Sequence, residues 1–292
     1  MQIIYINRAT GELEVETPPA EGLLKFLYDH PLGKTAVLPL ARRKIISEIY
    51  GRKMNKPSSR KKIQDFVRDM KIDMTESLKS MDAFETFNDF FYRKLKPEIR
   101  PIQEGVVSPG DGRLIAFENV SDVHQFFVKG RKFTLEAFLK NSELAKEYAA
   151  SSMLILRLAP NDYHRYHFPL AGVPSPIKKI EGRYYSVSPY AIANNFTKVF
   201  CENKREYCQL STPDYGNVLI VPVGATMVGS IIETYHPGEK VAKGDEMGYF
   251  AFGGSTVVVL IDSAKIQIDQ DILDNTKNGF ETLVKMGEKI GS

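Results

Sequence analysis

The spacing of hydrophobic and polar positions changes once along the chain, near Pro101. Between residues 20 and 79 apolar residues recur at helical spacing, as in the stripe Ile63, Phe66, Val67 and Met70. Three phenylalanines, Phe84, Phe87 and Phe91, continue that spacing and predict a helix anchored in a core. After Pro101 short apolar runs alternate with turns rich in Gly, Pro and Asp, which predicts strands, with one helical stretch at 135–149.

Residues 1–17 form a smaller unit in which two strand-like runs flank the turn Thr10-Gly11, the pattern of a hairpin. Together these patterns predict an α+β fold in two parts. The first part, residues 1–100, is expected to be mainly helical. The second, residues 101–292, is expected to be a compact, β-rich, barrel-sandwich-like domain that carries the chemistry.

A glycine-rich turn stands before the most apolar run of the chain. Phe252-Gly253-Gly254-Ser255-Thr256 leads into Val257–Ile261, which predicts a buried strand with a hydroxyl at its start. Ser255 could act as a hydrolase nucleophile, the glycine amides could cradle a phosphate, or Ser255 could attack the Gly254 carbonyl. The last reaction needs a peptide bond that can distort, and Gly254 has no Cβ to obstruct it. A tight turn entering a strand is the purely structural interpretation.

Ionisable side chains are dense in the decapeptide Pro160–Pro169, which holds two of the five histidines, His164 and His167. Imidazoles three positions apart can share one face of a helical turn and act as a proton-transfer pair. No third ligand follows at a metal-binding spacing, so no metal is predicted. A structural loop with surface histidines is the alternative interpretation.

Asp111, in the turn Ser108–Gly112, supplies the third member of a Ser–His–Asp set. An aspartate in such a turn usually caps its own backbone, so the turn alone carries little weight. No Gly-x-Ser-x-Gly motif surrounds Ser255, which counts against an ordinary α/β hydrolase and favours self-cleavage.

Positive charge is concentrated between residues 33 and 62, a segment that contains ten basic residues and a single acidic one, Glu48. The whole chain carries only +3. A basic amphipathic segment of this kind suits a membrane surface with anionic headgroups, whereas a solvated helix face is the alternative. No nucleic-acid motif accompanies it, so no nucleic-acid partner is predicted. Cys201 and Cys208 imply no disulfide framework, and no segment is long enough to cross a bilayer.

Several motifs, in order, give the chain a resemblance to phosphatidylserine decarboxylases. The matching segments are Phe87–Pro97, Ser108–Gly112, Arg157–Pro169, Val223–Ile231, Lys243–Gly248 and Gly253–Thr256. The histidine segment reads Pro-x-Asp-Tyr-His-Arg-x-His-x-Pro, and Gly-Gly-Ser-Thr is one of the family's two common cleavage motifs. The sequence departs from the family at 202–206, where Asn-Glu-Arg is common, so no role is implied for Asn203.

The resemblance implies self-cleavage between Gly254 and Ser255, giving a β chain of residues 1–254 and an α chain of residues 255–292. His167 would accept the Ser255 proton and Asp111 would orient it. Ser255 would become a covalent pyruvoyl group, the only cofactor expected. Its ketone would form a Schiff base with phosphatidylserine and draw electrons as CO2 leaves, and His164 would protonate the carbanion to give phosphatidylethanolamine.

The resemblance also implies the partners. They are phosphatidylserine in an anionic membrane and the cleaved chain itself as an α/β heterodimer, with a homodimer left open. The protein is then expected to lie peripherally on the cytoplasmic face of the cell membrane. Two other functions stay open from the residues: a Ser–His–Asp lipid or ester hydrolase, and a non-enzymatic barrel-sandwich binding module.

Overall fold

The structure is a computed structural model, and it describes residues 3–16, 49, 51–123, 133–183, 185, 199–224, 231–251, 253 and 255–292. Most of the basic run 33–62 therefore lies outside the described residues, and so does Gly254. Within the described part no helix is both long and apolar enough to span a membrane.

Short α-helices and strands of two to nine residues form the regular structure of the described chain. The strands are β1 Ile3–Asn7, β2 Leu13–Glu16, β3 Val106–Val107, β4 Gly112–Phe117, β5 Ser151–Leu158, β6 Arg165–His167, β7 Val173–Pro174, β8 Lys178–Ile180, β9 Arg205–Thr212, β10 Gly216–Gly224, β11 Ile231–Glu233, β12 Glu246–Phe250, β13 Ser255–Asp262, β14 Glu281–Val284 and β15 Lys289–Gly291. The α-helices are α1 Ile63–Asp69, α2 Phe87–Phe91, α3 Leu135–Leu139, α4 Ser142–Glu147 and α5 Gln270–Lys277. Single 3-10 turns lie at Pro57–Lys62, Met74–Glu76, Met81–Ala83, Pro97–Ile99 and Val120–Asp122.

A ten-stranded sheet forms the centre of the molecule, in the order β2-β1-β14-β4-β5-β13-β10-β9-β7, with β8 also paired to β9. The pair β1–β14 is parallel, whereas β13 is antiparallel to both of its neighbours, β5 and β10. Side chains on both faces of β13 are buried as far as Ile261. A strand covered on both faces needs apolar residues at successive positions, which explains the run Val257–Ile261.

Two smaller sheets lie beside the large one. β6 and β11 flank β12 in a three-stranded sheet, and β3 pairs with β15. The first of these sheets carries the histidine segment into the core, because β6 pairs with β12 at Arg165, Tyr166 and His167.

A second, aromatic core holds the helical region together. Its buried members are Met54, Ile63, Phe84, Phe87, Phe90 and Phe91. The hydroxyl of Thr86 accepts a hydrogen bond from the Asp89 amide, so α2 begins at Phe87 with a capped N-terminus. Phe91 connects this core to the β-rich part, because its ring stacks on His164.

The large mixed sheet with peripheral helices confirms the predicted α+β class. The hairpin, the helical stretch near 135–149 and the buried strand after the glycine pair are also confirmed. The division at residue 100 stays a prediction. The hairpin, although it lies in the first hundred residues, joins the large sheet through the pairing of β1 with β14.

One local prediction is wrong. His164 and His167 do not share the face of a helical turn, because Arg165–His167 is a strand paired with β12. Side chains alternate between the two sides of an extended chain, so residues three apart face opposite ways.

Candidate active site

Ser255 is the first residue of β13 and is fully buried. It lies opposite Gly224 of β10 on one side and Leu158 of β5 on the other, so its backbone is held by two neighbouring strands. Gly253 has a φ of +142°, a conformation that favours glycine over residues with a Cβ. The turn therefore delivers a hydroxyl from a glycine-dependent bend directly into a rigid sheet. Gly254, the other residue of the expected cleavage site, lies outside the described residues.

His164 is the histidine that contacts Ser255. Its Nδ1 lies 3.4 Å from Ser255 Oγ, and its ring stacks on Phe91 with 3.9 Å between centroids. The residue is completely buried, and its Nε2 has no hydrogen-bond partner among the described residues. Burial, followed by the nearby charge of Arg93, lowers the pKa of His164 to about 3. The imidazole is therefore neutral at physiological pH, the form that can accept a proton.

His167 points away from this contact and has a partner on each nitrogen. Its Nδ1 lies 2.9 Å from the Gly244 carbonyl oxygen, and its Nε2 lies 3.1 Å from the hydroxyl of Tyr163. A carbonyl can only accept, so Nδ1–H donates to Gly244 and Nε2 accepts from Tyr163 when the ring is neutral. Burial lowers the pKa of His167 as well, which keeps this tautomer neutral.

Asp111 is held by cations and a backbone amide. Its two oxygens accept hydrogen bonds from Arg100 Nε at 3.0 Å and Nη2 at 2.6 Å, and the Met286 amide donates at 2.9 Å. Burial raises the pKa of Asp111, but these donors and the Lys285 ammonium outweigh it, so the pKa is lowered. The carboxylate is therefore ionised and fully engaged.

The structure therefore brings only some of the expected residues into contact. Ser255 and His164 are in contact, whereas the hydrogen bonds of Asp111 go to Arg100 and Met286 rather than to His167. The turn that carries Asp111 does touch the histidine strand, because the His167 amide donates to the Pro109 carbonyl over 2.7 Å. Across the part of the chain that the structure describes, no group of three His, Cys, Asp or Glu is arranged to hold a metal ion.

Sequence reasoning did not single out two arginines of this region. Arg100 forms the ion pair with Asp111, and Arg93 lies beside His164 with 6% of its surface exposed. Arg93 stands in the segment Phe87–Pro97 that carried the family resemblance, so the motif contained it without indicating a role. The position of Arg100 next to Asp111 depends on a contact that no local pattern encodes.

A buried serine hydroxyl beside a neutral imidazole, reached through a glycine turn, defines a site for nucleophilic chemistry in a water-poor setting. Comparisons with known proteins show which family with such a site the chain matches. A family model described as phosphatidylserine decarboxylase matches residues 87–292.

Full-length relatives carry the same description. A phosphatidylserine decarboxylase proenzyme of Fusobacterium nucleatum subsp. nucleatum is 51% identical over 100% of this chain and 98% of its own. Proteins with the same name from Clostridium botulinum (strain Eklund 17B / Type B) and Desulfitobacterium hafniense (strain Y51) are 46% and 42% identical, over 98% and 99% of this chain and 97% and 98% of theirs. The chain belongs to the phosphatidylserine decarboxylase family. It is therefore a decarboxylase by family, and neither the hydrolase nor the binding module is favoured.

Proposed function

We propose that this chain converts phosphatidylserine to phosphatidylethanolamine and CO2 through a pyruvoyl group that it makes from its own Ser255. The observation that carries the proposal is the contact between the buried Ser255 hydroxyl and the neutral ring of His164. Family membership supplies the reaction class, and the word proenzyme in the relatives' names is consistent with a cleaved precursor.

Serinolysis requires a hydroxyl, a proton acceptor and a distortable peptide bond in one place. Ser255 is fixed at a strand end, and the positive φ of Gly253 shows that the chain bends sharply just before the bond to be cut. Attack of Oγ on the Gly254 carbonyl carbon forms an ester as the Gly254–Ser255 amide C–N bond breaks. β-Elimination then breaks the Ser255 Cβ–Oγ bond, which releases Gly254 as a new C-terminal carboxylate and leaves dehydroalanine at position 255. Its imine tautomer takes up one water and releases ammonia, which leaves the pyruvoyl group at position 255.

The hydroxyl proton of Ser255 could pass to either of two histidines during self-cleavage. The resemblance gives it to His167 oriented by Asp111, whereas the contact distance favours His164. For His167 to act, its Nε2 must exchange the Tyr163 hydroxyl for the Ser255 hydroxyl. Measuring self-cleavage of His164→Ala and His167→Ala decides between them, because the histidine that accepts the proton is the one whose loss stops cleavage.

We assign His164 to the substrate step as well. A pyruvoyl group made from Ser255 would supply the electron sink for decarboxylation. His164, which contacts Ser255, is therefore the side chain placed to protonate the substrate there. The Nδ1 of His164 faces position 255, so it is the ring nitrogen placed to deliver the proton that replaces CO2. The other nitrogen, Nε2, is buried and has no partner among the described residues. Phe91 covers one face of the His164 ring and excludes water there. A water-poor site favours the loss of a charged carboxylate as neutral CO2.

Binding at an anionic membrane surface, on the cytoplasmic face of the cell membrane, completes the proposal. Basic residues of the described part of the run 33–62 are exposed, among them Arg52, Lys53, Lys56 and Lys61. Such side chains favour anionic headgroups by about 1 kcal/mol each. Flotation with vesicles that contain or lack phosphatidylserine, at low and high salt, tests this, and salt-independent binding would argue against it.

The decisive experiment is the denaturing mass of freshly purified protein beside Ser255→Ala. The proposal expects two chains divided between Gly254 and Ser255, the shorter one lacking a free amine and lighter than a serine-started peptide by one ammonia. It also expects inactivation by a reductant that traps imines. A single uncleaved mass together with labelling of Ser255 by a fluorophosphonate would replace the proposal with a hydrolase.

A further inference from the structure

Arg93 is a buried cation, and none of the described carboxylates forms an ion pair with it. Only 6% of its surface is exposed, and its Nε has no hydrogen-bond partner. Its one side-chain hydrogen bond is a long one, from Nη2 to the Asn161 carbonyl oxygen at 3.4 Å, and its guanidinium lies 5.2 Å from the ring centre of Phe90. Burying an uncompensated charge is costly, so such a group is typically completed by a ligand.

The acids nearest to Arg93 are already engaged by other cations. Asp111 and Glu76 both bind Arg100, at 2.6 and 2.8 Å. Asp162 binds Arg113. In the described part of the chain no carboxylate forms an ion pair with Arg93. The arginine is therefore left over after the internal charges have been paired.

A small cavity of about 140 Å³ lies at this arginine. The residues that line it include four basic ones, Lys79, Arg93, Lys94 and Arg165, and a single acidic one, Asp89. Lys79 is paired with Asp89, and Arg165 with Glu246, so Arg93 and Lys94 supply the unneutralised charge. The cavity can hold a phosphate group, since one water molecule occupies about 30 Å³.

Arg93 connects the cavity to the candidate active site, because its charge acts on His164, the histidine that contacts Ser255. Arg93 follows Phe91 by two residues, and Phe91 stacks on His164. Arg93 also bonds Asn161, three residues before His164. A group bound at Arg93 is therefore linked to the candidate active site through Phe91 and Asn161, and neither Ser255 nor His164 lines the cavity that would hold it.

We propose that Arg93 binds the phosphodiester of the phospholipid substrate in this cavity, an inference that rests on the proposed function. The substrate offers two anions, its carboxylate and its phosphate. An arginine on the carboxylate would stabilise a charge that disappears as CO2 leaves, and would slow the reaction. The phosphate keeps its charge throughout, so binding it lowers KM and leaves kcat unchanged.

The first test measures binding without catalysis. Calorimetry on the Ser255→Ala chain uses glycerophosphoethanolamine, which has the phosphate but no carboxylate, and L-serine, which has the carboxylate but no phosphate. Adding Arg93→Gln should weaken the binding of glycerophosphoethanolamine about ten- to a hundredfold, which is the range that the loss of a charge-assisted hydrogen bond gives. Arg93→Lys should recover part of the affinity, because lysine keeps the positive charge but cannot donate two parallel hydrogen bonds as the guanidinium does. Arg68→Gln, which removes an exposed arginine, is the matched control and should have no effect.

The second test uses the cleaved enzyme. Arg93→Gln should raise KM for phosphatidylserine by the same factor, and kcat should change by less than KM, because the cation removed also lowers the pKa of His164. The proposal is overturned if Arg93→Gln binds glycerophosphoethanolamine as well as Arg68→Gln does, if only L-serine binding is lost, or if kcat falls with KM unchanged. If Arg93→Gln does not fold, Arg93→Lys takes its place under the same criteria. A wild-type chain that never cleaves would refute the proposed function, whereas phosphate binding to Ser255→Ala would still be measurable.

Discussion

The neutral, buried ring of His164 predicts a specific loss of stability in acid. Its pKa is 6.5 in an unfolded chain and about 3 in the folded one, where burial opposes the charged form. At a pH between these two pKa values the His164 imidazole is protonated in the unfolded state and neutral in the folded state. Stability from this group is therefore complete above pH 6.5 and is lost as the pH falls towards 3.

The size of the effect follows from the same two values. Lowering the pH from 7 to about 5 moves 1.5 units below the unfolded pKa, and each unit is worth about 1.36 kcal/mol, so the expected loss is about 2 kcal/mol. Glu206 acts in the opposite direction, because burial and the neighbouring Glu233 raise its pKa and make the folded state bind the extra proton. Only the difference between variants therefore reports His164.

Urea unfolding at both pH values measures this difference. The Ser255→Ala background keeps every sample a single chain, and His164→Gln removes the titrating ring. The parent should lose about 2 kcal/mol more than His164→Gln between pH 7 and 5. Equal losses in the parent and in His164→Gln would refute the assignment of a depressed pKa to this residue.

Three further substitutions probe the supports of the site. Arg100→Met leaves the Asp111 carboxylate buried without its main partner and should cost about 3–5 kcal/mol in urea unfolding, against about 0.5 kcal/mol or less for the exposed control Arg68→Met. A loss below about 1 kcal/mol would show that the ion pair contributes little. Gly253→Ala should slow self-cleavage, measured as the half-time of chain conversion on a denaturing gel, because a Cβ is strained at a φ of +142°. Unchanged kinetics would remove the argument from this turn. Asn203→Ala breaks three hydrogen bonds to backbone groups and should cost about 2–4 kcal/mol in unfolding, while an equal stability in Asn203→Asp would argue that the donated bonds are dispensable.

The sequence by itself determined the features that depend on neighbours in the chain. Alternation around Thr10-Gly11 predicts the hairpin, and helical spacing from Ile63 predicts α1, because both patterns follow from backbone geometry alone. The run Val257–Ile261 predicts a buried strand, since a strand covered on both faces buries successive positions and the run is short and rich in β-branched residues. The ordered motifs around Asp111, His164, His167 and Ser255 were sufficient to predict the family.

The arrangement of the side chains in the candidate site was decided by the tertiary structure. Arg165–His167 could form a turn or a strand on local grounds, and pairing with β12 makes it a strand, which sends His164 towards Ser255 and His167 towards Tyr163. Asp111 binds Arg100 rather than a histidine because the fold brings that guanidinium within 2.6 Å. Ion pairs between separate segments have no local signature: a charge's partner depends on which segments meet and which carboxylates remain unpaired. For the same reason, the sequence shows that position 93 is an arginine, and only the fold shows that this arginine is left without an anion.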